Sequence, residues 1–250
     1  MRGGGPPRGY SQFIVGNARV VCAESVADDF RAALRDSTLY DYAARHPKAR
    51  AFAGRGASYG IPLPSSGERV VVRHNRHGGM LAAITGDLFR APTRAPLELE
   101  VAERLRSLNV PTPQLLGYVA YAVVAGFERA DVATKEVIES GDLSESLLST
   151  DGRVRVEALN ATAALIRSLA DAGARHHDLN IKNVLLQKKT EQILGALVLD
   201  VDRVTFGLDR RSAVDANVAR LIRSAKKWRR LHGALFTDAE LDTFASMARS

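Results

Sequence analysis

The segment His176-His177-Asp178-Leu179-Asn180-Ile181-Lys182-Asn183 constrains this chain more than any other stretch of similar length. It follows a long run of helical periodicity, Val154 to Ala172, which places Leu159, Ala163, Ile166, Leu169 and Ala170 on one face and is closed by Gly173. It precedes two apolar runs that read as strands, Asn183–Leu186 and Ala196–Leu199. A second polar interruption, Asp200-Val201-Asp202-Arg203, comes 17 residues after Asn183, directly behind Leu197-Val198-Leu199. A polar loop, a strand pair and an acidic turn in this order bring Asp178, Asn183 and Asp200 to adjacent strand ends.

The rest of the chain supplies the frame. Residues 1–11 are rich in Gly and Pro and are expected to be disordered. Val26, Phe30, Leu34, Leu39 and Tyr42 predict one or two short helices between Ser25 and His46, starting near Ser25 and Asp28 and ended by Pro47. From Ala51 to His74 a Gly-rich turn leads into the β-branched run Val70-Val71-Val72. A helix is predicted over Leu97–Leu108, stopped by Pro111 and Pro113. Strands are predicted over Leu115–Val124 and Val132–Ile138, joined around Gly126 and Glu128. Two helices close the chain, Ser212–His232 and Asp238–Ala248, the second announced by the capping box Thr237-x-x-Glu240. A sheet-rich first half and a helical second half interrupted by short strands make this an α+β chain of two lobes, with the boundary near residues 138–142.

Composition narrows the classes further. Apolar residues are 46% and charged residues 25% of 250, which argues against global disorder. One cysteine, Cys22, excludes an intramolecular disulfide framework and a multi-cysteine zinc site, and its setting predicts a small buried side chain. The uncharged stretch Asn109–Phe127 contains Pro111, Pro113 and Gln114 and does not suit a membrane-spanning helix. Met1-Arg-Gly-Gly-Gly-Pro-Pro-Arg lacks the apolar core of a secretory signal, so a cytoplasmic location is expected. The net charge is +7, and 28 of the 35 basic residues are arginine, which grips phosphate and carboxylate in a fork. An anionic partner is one reading of that bias; an Arg- and Ala-rich genome is the other.

Asp178, Asn183 and Asp200 are the set that phosphoryl transfer needs: one carboxylate to orient and deprotonate a hydroxyl, an amide oxygen and a second carboxylate to hold Mg²⁺. His-x-Asp-x-x-x-x-Asn followed by Asp at a strand end resembles the catalytic loop and metal turn of the protein-kinase-like superfamily. Gly54-Arg-Gly56-Ala-Ser-Tyr-Gly60 resembles its Gly-rich loop with altered spacing, Val70-Val71-Val72-Arg73 its strand ending in a cation, and Glu98 the partner of that cation, with Glu100 and Glu103 as competitors.

A closer resemblance is to the lipopolysaccharide kinases that phosphorylate 3-deoxy-D-manno-octulosonic acid (Kdo). Arg73-His-Asn-Arg76-His-Gly78-Gly79 is similar to their R-H-Y-R-R-G-G segment, and His176–Asn183 to their H-x-D-L-N-x-x-N loop. Asp200-Val-Asp202-Arg203 resembles D-F-D-R, and Asn217-Val-Ala-Arg220-Leu-Ile-Arg223-Ser224 resembles N-L-A-R-L-x-R-S. These segments run in order from about Gly54 to Trp228. Val201 and Asn75 stand where the family has aromatics, and Ala174-Arg175-His176 adds a charge before Asp178, which leaves room for a divergent acceptor.

The resemblance implies a two-lobed protein-kinase-like fold, with an antiparallel-sheet N-lobe at 51–138, a short helical C-lobe at 139–250, and residues 1–50 as a tail and helical extension. It implies ATP and Mg²⁺ as cofactors, Asp178 as the base, Asn183 and Asp200 as metal ligands, and Gly54, Gly56, Arg73 and Glu98 at the nucleotide. Arg76, Asp202, Arg220 and Arg223 are candidate contacts to substrate or membrane. His176 reads as structural. The acceptor implied is a lipid-linked anionic sugar, Kdo on a lipid A precursor, at the cytoplasmic face of the inner membrane. Another small molecule, a core heptose, or a nucleotide-binding scaffold without turnover are the alternatives. The short stretch after Asp202 leaves no platform for a peptide.

The basic helix, with Arg220, Arg223, Lys226, Lys227, Arg229 and Arg230, has an apolar stripe of Val218, Leu221, Ile222, Ala225, Trp228 and Leu231. It suits an anionic membrane surface or, alternatively, packs inward with its charges solvated. Nucleic acid is not expected, because no recognition motif accompanies the charges, and no feature points to a protein partner.

Overall fold

The computed structural model describes residues 5–52, 56–75, 88–124, 126–189, 192–233 and 236–250. The chain divides into two compact units, Met1–Glu103 with Gln114–Glu136, and Arg104–Pro113 with Val137–Ser250.

The first unit is built on an antiparallel sheet. Its strands are β1 (Tyr10–Val15), β2 (Ala18–Ala23), β3 (Arg50–Phe52), β4 (Ser58–Pro62), β5 (Arg69–His74), β6 (Phe89–Arg90), β7 (Leu115–Val124) and β8 (Phe127–Lys135). They lie in the order β1-β2-β7-β8-β5-β4-β3, with β6 paired to β8. The central β7–β8 hairpin is long, with β7 apolar throughout, and it turns at Gly126, whose φ of 80° suits a residue without Cβ. β8 begins at Phe127, five residues before its expected start.

The stretch Tyr10–Ala23 departs most from expectation. Tyr10 to Ala23, read as disordered tail and unassigned chain, form a β-hairpin whose second strand pairs with β7. The Tyr10 hydroxyl donates to the Leu115 carbonyl at 2.6 Å and to Glu103 at 3.0 Å, which ties the edge strand down. Val20, Val21 and Cys22 are buried. Two short helices follow as expected, α1 (Ala27–Ala33) and α2 (Leu39–Arg45). The side-chain cap is Thr38, which accepts from Asp41 N at 3.0 Å; Ser25 and Asp28 do not cap a helix.

α3 (Ala95–Ser107) straddles the division between the units. In the second unit come β9 (Ser140–Asp142), α4 (Leu143–Leu147), α5 (Gly152–Asp171), β10 (Ala174–His176), β11 (Val184–Lys189), β12 (Gln192–Val198), β13 (Val204–Phe206), α6 (Arg210–His232) and α7 (Asp238–Arg249). α5 is the centre of this unit. Leu159, Ala163, Ile166, Leu169 and Ala170 are all buried on the face predicted, at helical spacing. It ends at Gly173, where φ is 61° and a Cβ would stand 2.7 Å from the Leu208 carbonyl. The capping box of Thr237 and Glu240 is formed in both directions. No helix among the described residues is long and apolar enough to cross a membrane.

Candidate active site

In the first unit the candidate residues gather at the end of β5. Arg73 pairs with Glu98 on α3 through Nη2 and donates from Nη1 to Asn75 Oδ1 at 2.8 Å. Glu98 is buried, whereas Glu100 is exposed and Glu103 accepts from Tyr10, so of the three glutamates Glu98 is the one at Arg73. Asn75 is itself buried, and its backbone N–H donates to the Ala130 carbonyl at 2.8 Å. A small amide where the family carries an aromatic thus becomes a second fastening for the guanidinium.

The neighbouring His74 points the other way along the strand, as the period of two requires. Its Nδ1 lies 2.5 Å from Asp131, which also accepts from the Tyr121 hydroxyl at 2.9 Å and Tyr40 N at 2.9 Å. Asp131 is wholly buried, and these donors compensate its charge. The arrangement anchors the start of α2 to the sheet. Gly56 lies in a bend ahead of β4, while Gly54 and Arg76 fall outside the described residues.

The second unit holds the polar loop, fastened from four sides. Leu179 and Ile181 are buried and alternate with the outward Asp178, Asn180 and Lys182. The Asp178 carbonyl accepts from Asn180 Nδ2 at 2.9 Å and Asn183 Nδ2 at 3.0 Å. His176 is the pin beneath them. Its Nε2 lies 2.9 Å from the Leu199 carbonyl, and its Nδ1 accepts from Asp178 N at 3.1 Å. That pair of contacts requires the neutral ring with the proton on Nε2. Burial drives its pKa below the usual value, against the pull of the Leu199 carbonyl and of Asp200, Asp178 and Asp202. His176 therefore links the Asp178 loop to the strand end that delivers Asp200, in keeping with its structural reading.

β11 and β12 pair Val184 with Val198, and Leu199 N donates to the Asn183 carbonyl at 2.9 Å. Asn183 and Asp200 accordingly stand at neighbouring strand ends. Asp200 has φ 53° and ψ 47°, the left-handed region, uncommon for a residue with a side chain. Backbone held in this way is strained and persists where the surroundings over-determine it, typically at functional sites. Asp202 lies 3.8 Å from Arg203.

Helix α6 supplies contacts that sequence reasoning, although it singled out the Asn217–Ser224 segment, did not assign. Asn217, Arg220 and Ser224 are spaced by three and four residues and share one face. Asn217 is fully buried; its Oδ1 accepts from His176 N at 3.0 Å and its Nδ2 donates to the Ala174 carbonyl at 2.9 Å. Ser224 Oγ accepts from Ile181 N at 3.2 Å. Arg220 Nη2 reaches Asp178 Oδ1 at 2.5 Å. Arg220, expected at substrate or membrane, is thus the counter-ion of Asp178. The recurrence of Asn, Arg and Ser at this spacing was the available signal, since a helix that touches one loop with polar groups must present them at three- and four-residue steps.

The remaining charges of α6 are divided. Lys226 and Arg229 pair with Asp238, at 3.3 and 3.0 Å, while Arg223, Lys227 and Arg230 are exposed. Val218, Leu221 and Ala225 are buried as the inward-packing reading requires, but Leu231 is 66% exposed and belongs to no core. Trp228 is half-buried and carries Lys182 over its ring at 4.7 Å. Cys22 is buried, and its thiol is pushed up to about 11 by desolvation, so it carries no nucleophile at neutral pH.

The family model of the lipopolysaccharide kinase (Kdo/WaaP) family matches residues 60–247. The chain is 32% identical over 193 residues to the 3-deoxy-D-manno-octulosonic acid kinase of Actinobacillus succinogenes, covering 75% of this chain and 78% of that protein. It is 27% identical over 179 residues to the enzyme of the same name from Pasteurella multocida, covering 70% and 73%. Among solved structures, WaaP in complex with acyl carrier protein superposes with a TM-score of 0.54 at 16% identity, over 92% of this chain and 88% of that one, a likeness of fold. The matched region contains Arg73, Glu98, the Asp178 loop, the Asp200 turn and the Asn217 helix, and on that correspondence the chain belongs to the lipopolysaccharide kinase (Kdo/WaaP) family, phosphotransferases with a sugar hydroxyl as acceptor.

Proposed function

We propose that this protein transfers the γ-phosphoryl group of ATP to a hydroxyl of Kdo carried on a lipid A precursor, in lipopolysaccharide core biosynthesis, with Mg²⁺ as the assisting ion. The observation that carries the reading is the fastening of the Asp178 loop: Arg220 on its carboxylate, His176 under its backbone and Asn183 on its carbonyl. A base for phosphoryl transfer has to be positioned more than it has to be strong, because the transition state is loose and little covalent chemistry falls to the protein. Asp178 orients the acceptor hydroxyl and takes its proton.

Asn183 and Asp200 fit a hard divalent cation. The Asn183 amide nitrogen is spent on the Asp178 carbonyl, which leaves its oxygen end for a metal, and Asp200 is exposed at the adjacent strand end. Two protein oxygens, with phosphates and waters completing the shell, suit Mg²⁺. Bound there, the ion supplies neutralisation of the charge on the phosphates. Arg73, steadied by Glu98 and Asn75, contacts the nucleotide phosphates, and Gly54 and Gly56 belong to the loop over them. The lipid-linked acceptor sets the place of work at a membrane surface, peripheral on the cytoplasmic face of the inner membrane, and the exposed Lys227 and Arg230 of α6 suit anionic lipid.

The test is incubation with labelled ATP and Kdo-bearing lipid acceptor, followed by mass spectrometry of the product. The wild type is expected to add one phosphate to the Kdo residue, and Asp178→Asn to slow transfer by about 100-fold or more. Wild type and variant that were indistinguishable would sink the proposal.

A further inference from the structure

Next to Arg220, the ion-pair partner of Asp178, lies an open recess of about 200 Å³ within the second unit, lined by Arg175, His177, Arg220 and Arg223 together with Ala216 and Ala219. We infer that this recess is the acceptor-recognition subsite and that it takes the carboxylate of an acidic sugar. The inference rests on the function proposed above and names the residues that choose the acceptor.

Three features of the chain build the recess. Residues 216, 219, 220 and 223 fall on one face of α6 at helical spacing, so two methyl side chains leave room where two guanidiniums rise around them. The Asn217 side chain fastens β10 to the same helix, and in β10 Ala174 and His176 are buried while Arg175, between them, is exposed. Pairing of Arg175 with Thr205 on β13 fixes its backbone, and Thr205 Oγ1 also meets His177 Nε2 at 2.8 Å. The recess therefore rests on a strand pair and a helix, and loop geometry does not decide its shape.

Two of its three guanidiniums are uncompensated among the described residues. Arg220 is matched by Asp178, and Arg210, Lys226 and Arg229 of the same helix each have a carboxylate partner. Arg175 and Arg223 have no carboxylate within ion-pair distance among the described residues. Two unmatched guanidiniums beside a third that is already on the base form a site for paired anionic oxygens, which arginine binds in a fork. An acidic sugar carries its carboxylate and its hydroxyls on one ring. Holding the carboxylate against Arg175 and Arg223 settles which hydroxyl stands at Asp178. Arg175 is also the charge that this chain adds to the segment before the catalytic loop, so it sets the acceptor preference of this chain in particular.

Anionic oxygens also occur on the lipid A phosphates and on ATP, and the experiment separates these sources. Arg175→Gln, Arg223→Gln and the double variant would be compared with wild type; both positions are exposed and without ion pairs, and unchanged melting temperatures check the fold. Free Kdo and its carboxamide are titrated by NMR, which needs no turnover. The wild type is expected to bind Kdo at least about tenfold more tightly than the neutral carboxamide, the worth of a charge-assisted pair, and the double variant to lose that preference. In transfer assays the double variant should raise KM for the Kdo-lipid acceptor by a similar factor while KM for ATP stays within about twofold. The inference is overturned if wild type does not prefer the carboxylate. It is equally overturned if the variant raises KM for ATP instead, or if removing the lipid phosphates abolishes the effect of the substitutions. Preference for Kdo without transfer to the lipid acceptor would leave the subsite standing and remove the proposed reaction.

Discussion

Replacing Asn217 with alanine should unfasten the Asp178 loop without touching any group proposed to perform chemistry. The side chain is fully buried and satisfies two backbone groups of β10, the His176 N–H at 3.0 Å and the Ala174 carbonyl at 2.9 Å. Truncation strands both in a dry interior, at roughly 1–3 kcal/mol each, so a destabilisation of about 3 kcal/mol is expected. Asn217→Asp keeps the acceptor for His176 N but turns a carboxylate oxygen towards the Ala174 carbonyl, and it should cost at least as much. Trp228, the single tryptophan, sits on the same helix and reports urea unfolding by its fluorescence. Because Asp178 lies two residues beyond the fastened strand, turnover should fall along with stability. A loss below about 0.5 kcal/mol in the alanine variant, with turnover intact, would refute the claim that α6 holds the loop through this residue.

Two further outcomes follow from the same contacts. Burial holds the His176 pKa below its usual 6.5, so below that pH the unfolded chain binds a proton that the native chain does not; the stabilisation is complete above 6.5 and is lost as pH falls towards the native value. Urea unfolding of wild type and His176→Gln at pH 7.5 and 5.5 checks this: wild type should lose more, by up to about 1.4 kcal/mol per pH unit, and equal slopes would contradict it. In the first unit, a Cβ on Gly117 would stand 2.6 Å from Cys22 Cβ and 2.8 Å from the Val21 carbonyl where β2 crosses β7. Gly117→Ala should therefore cost about 1–3 kcal/mol in thermal unfolding, unrelieved by Cys22→Ala, which keeps the Cβ; an unchanged melt would show that the strands yield there.

The elements legible in the sequence were those with a strong period or a covalent stop. The α5 face, the α7 capping box, the β7 strand and the polar loop between α5 and β11 all read directly from spacing. The β1–β2 hairpin did not, because its burial depends on β7, a strand about 100 residues away, and the Gly/Pro-rich start before it looks like a tail. The short strands β10 and β13 escaped for the same reason: three residues carry no period of their own, and only their mutual pairing makes them strands.

At the candidate site the division is similar. The spacing of Asp178, Asn183 and Asp200, together with the kinase-like resemblance that adds Arg73 and Glu98, was sufficient to indicate a phosphotransferase, since chemistry selects residue types and the neighbouring runs place the three at strand ends. Which glutamate meets Arg73, and that Asn75 shares its guanidinium, became known only from the packing of α3 on the sheet. The role of Arg220 was likewise out of reach. A guanidinium on an amphipathic helix is equally suited to lipid, substrate or a neighbouring carboxylate, and 42 residues separate it from Asp178. The sequence alone determined the reaction class, because that depends on which groups are present and in what order. Tertiary structure decided which charges are spent within the fold and which, like Arg175 and Arg223, stay without an ion-pair partner among the described residues, because ion pairing depends on distance in space.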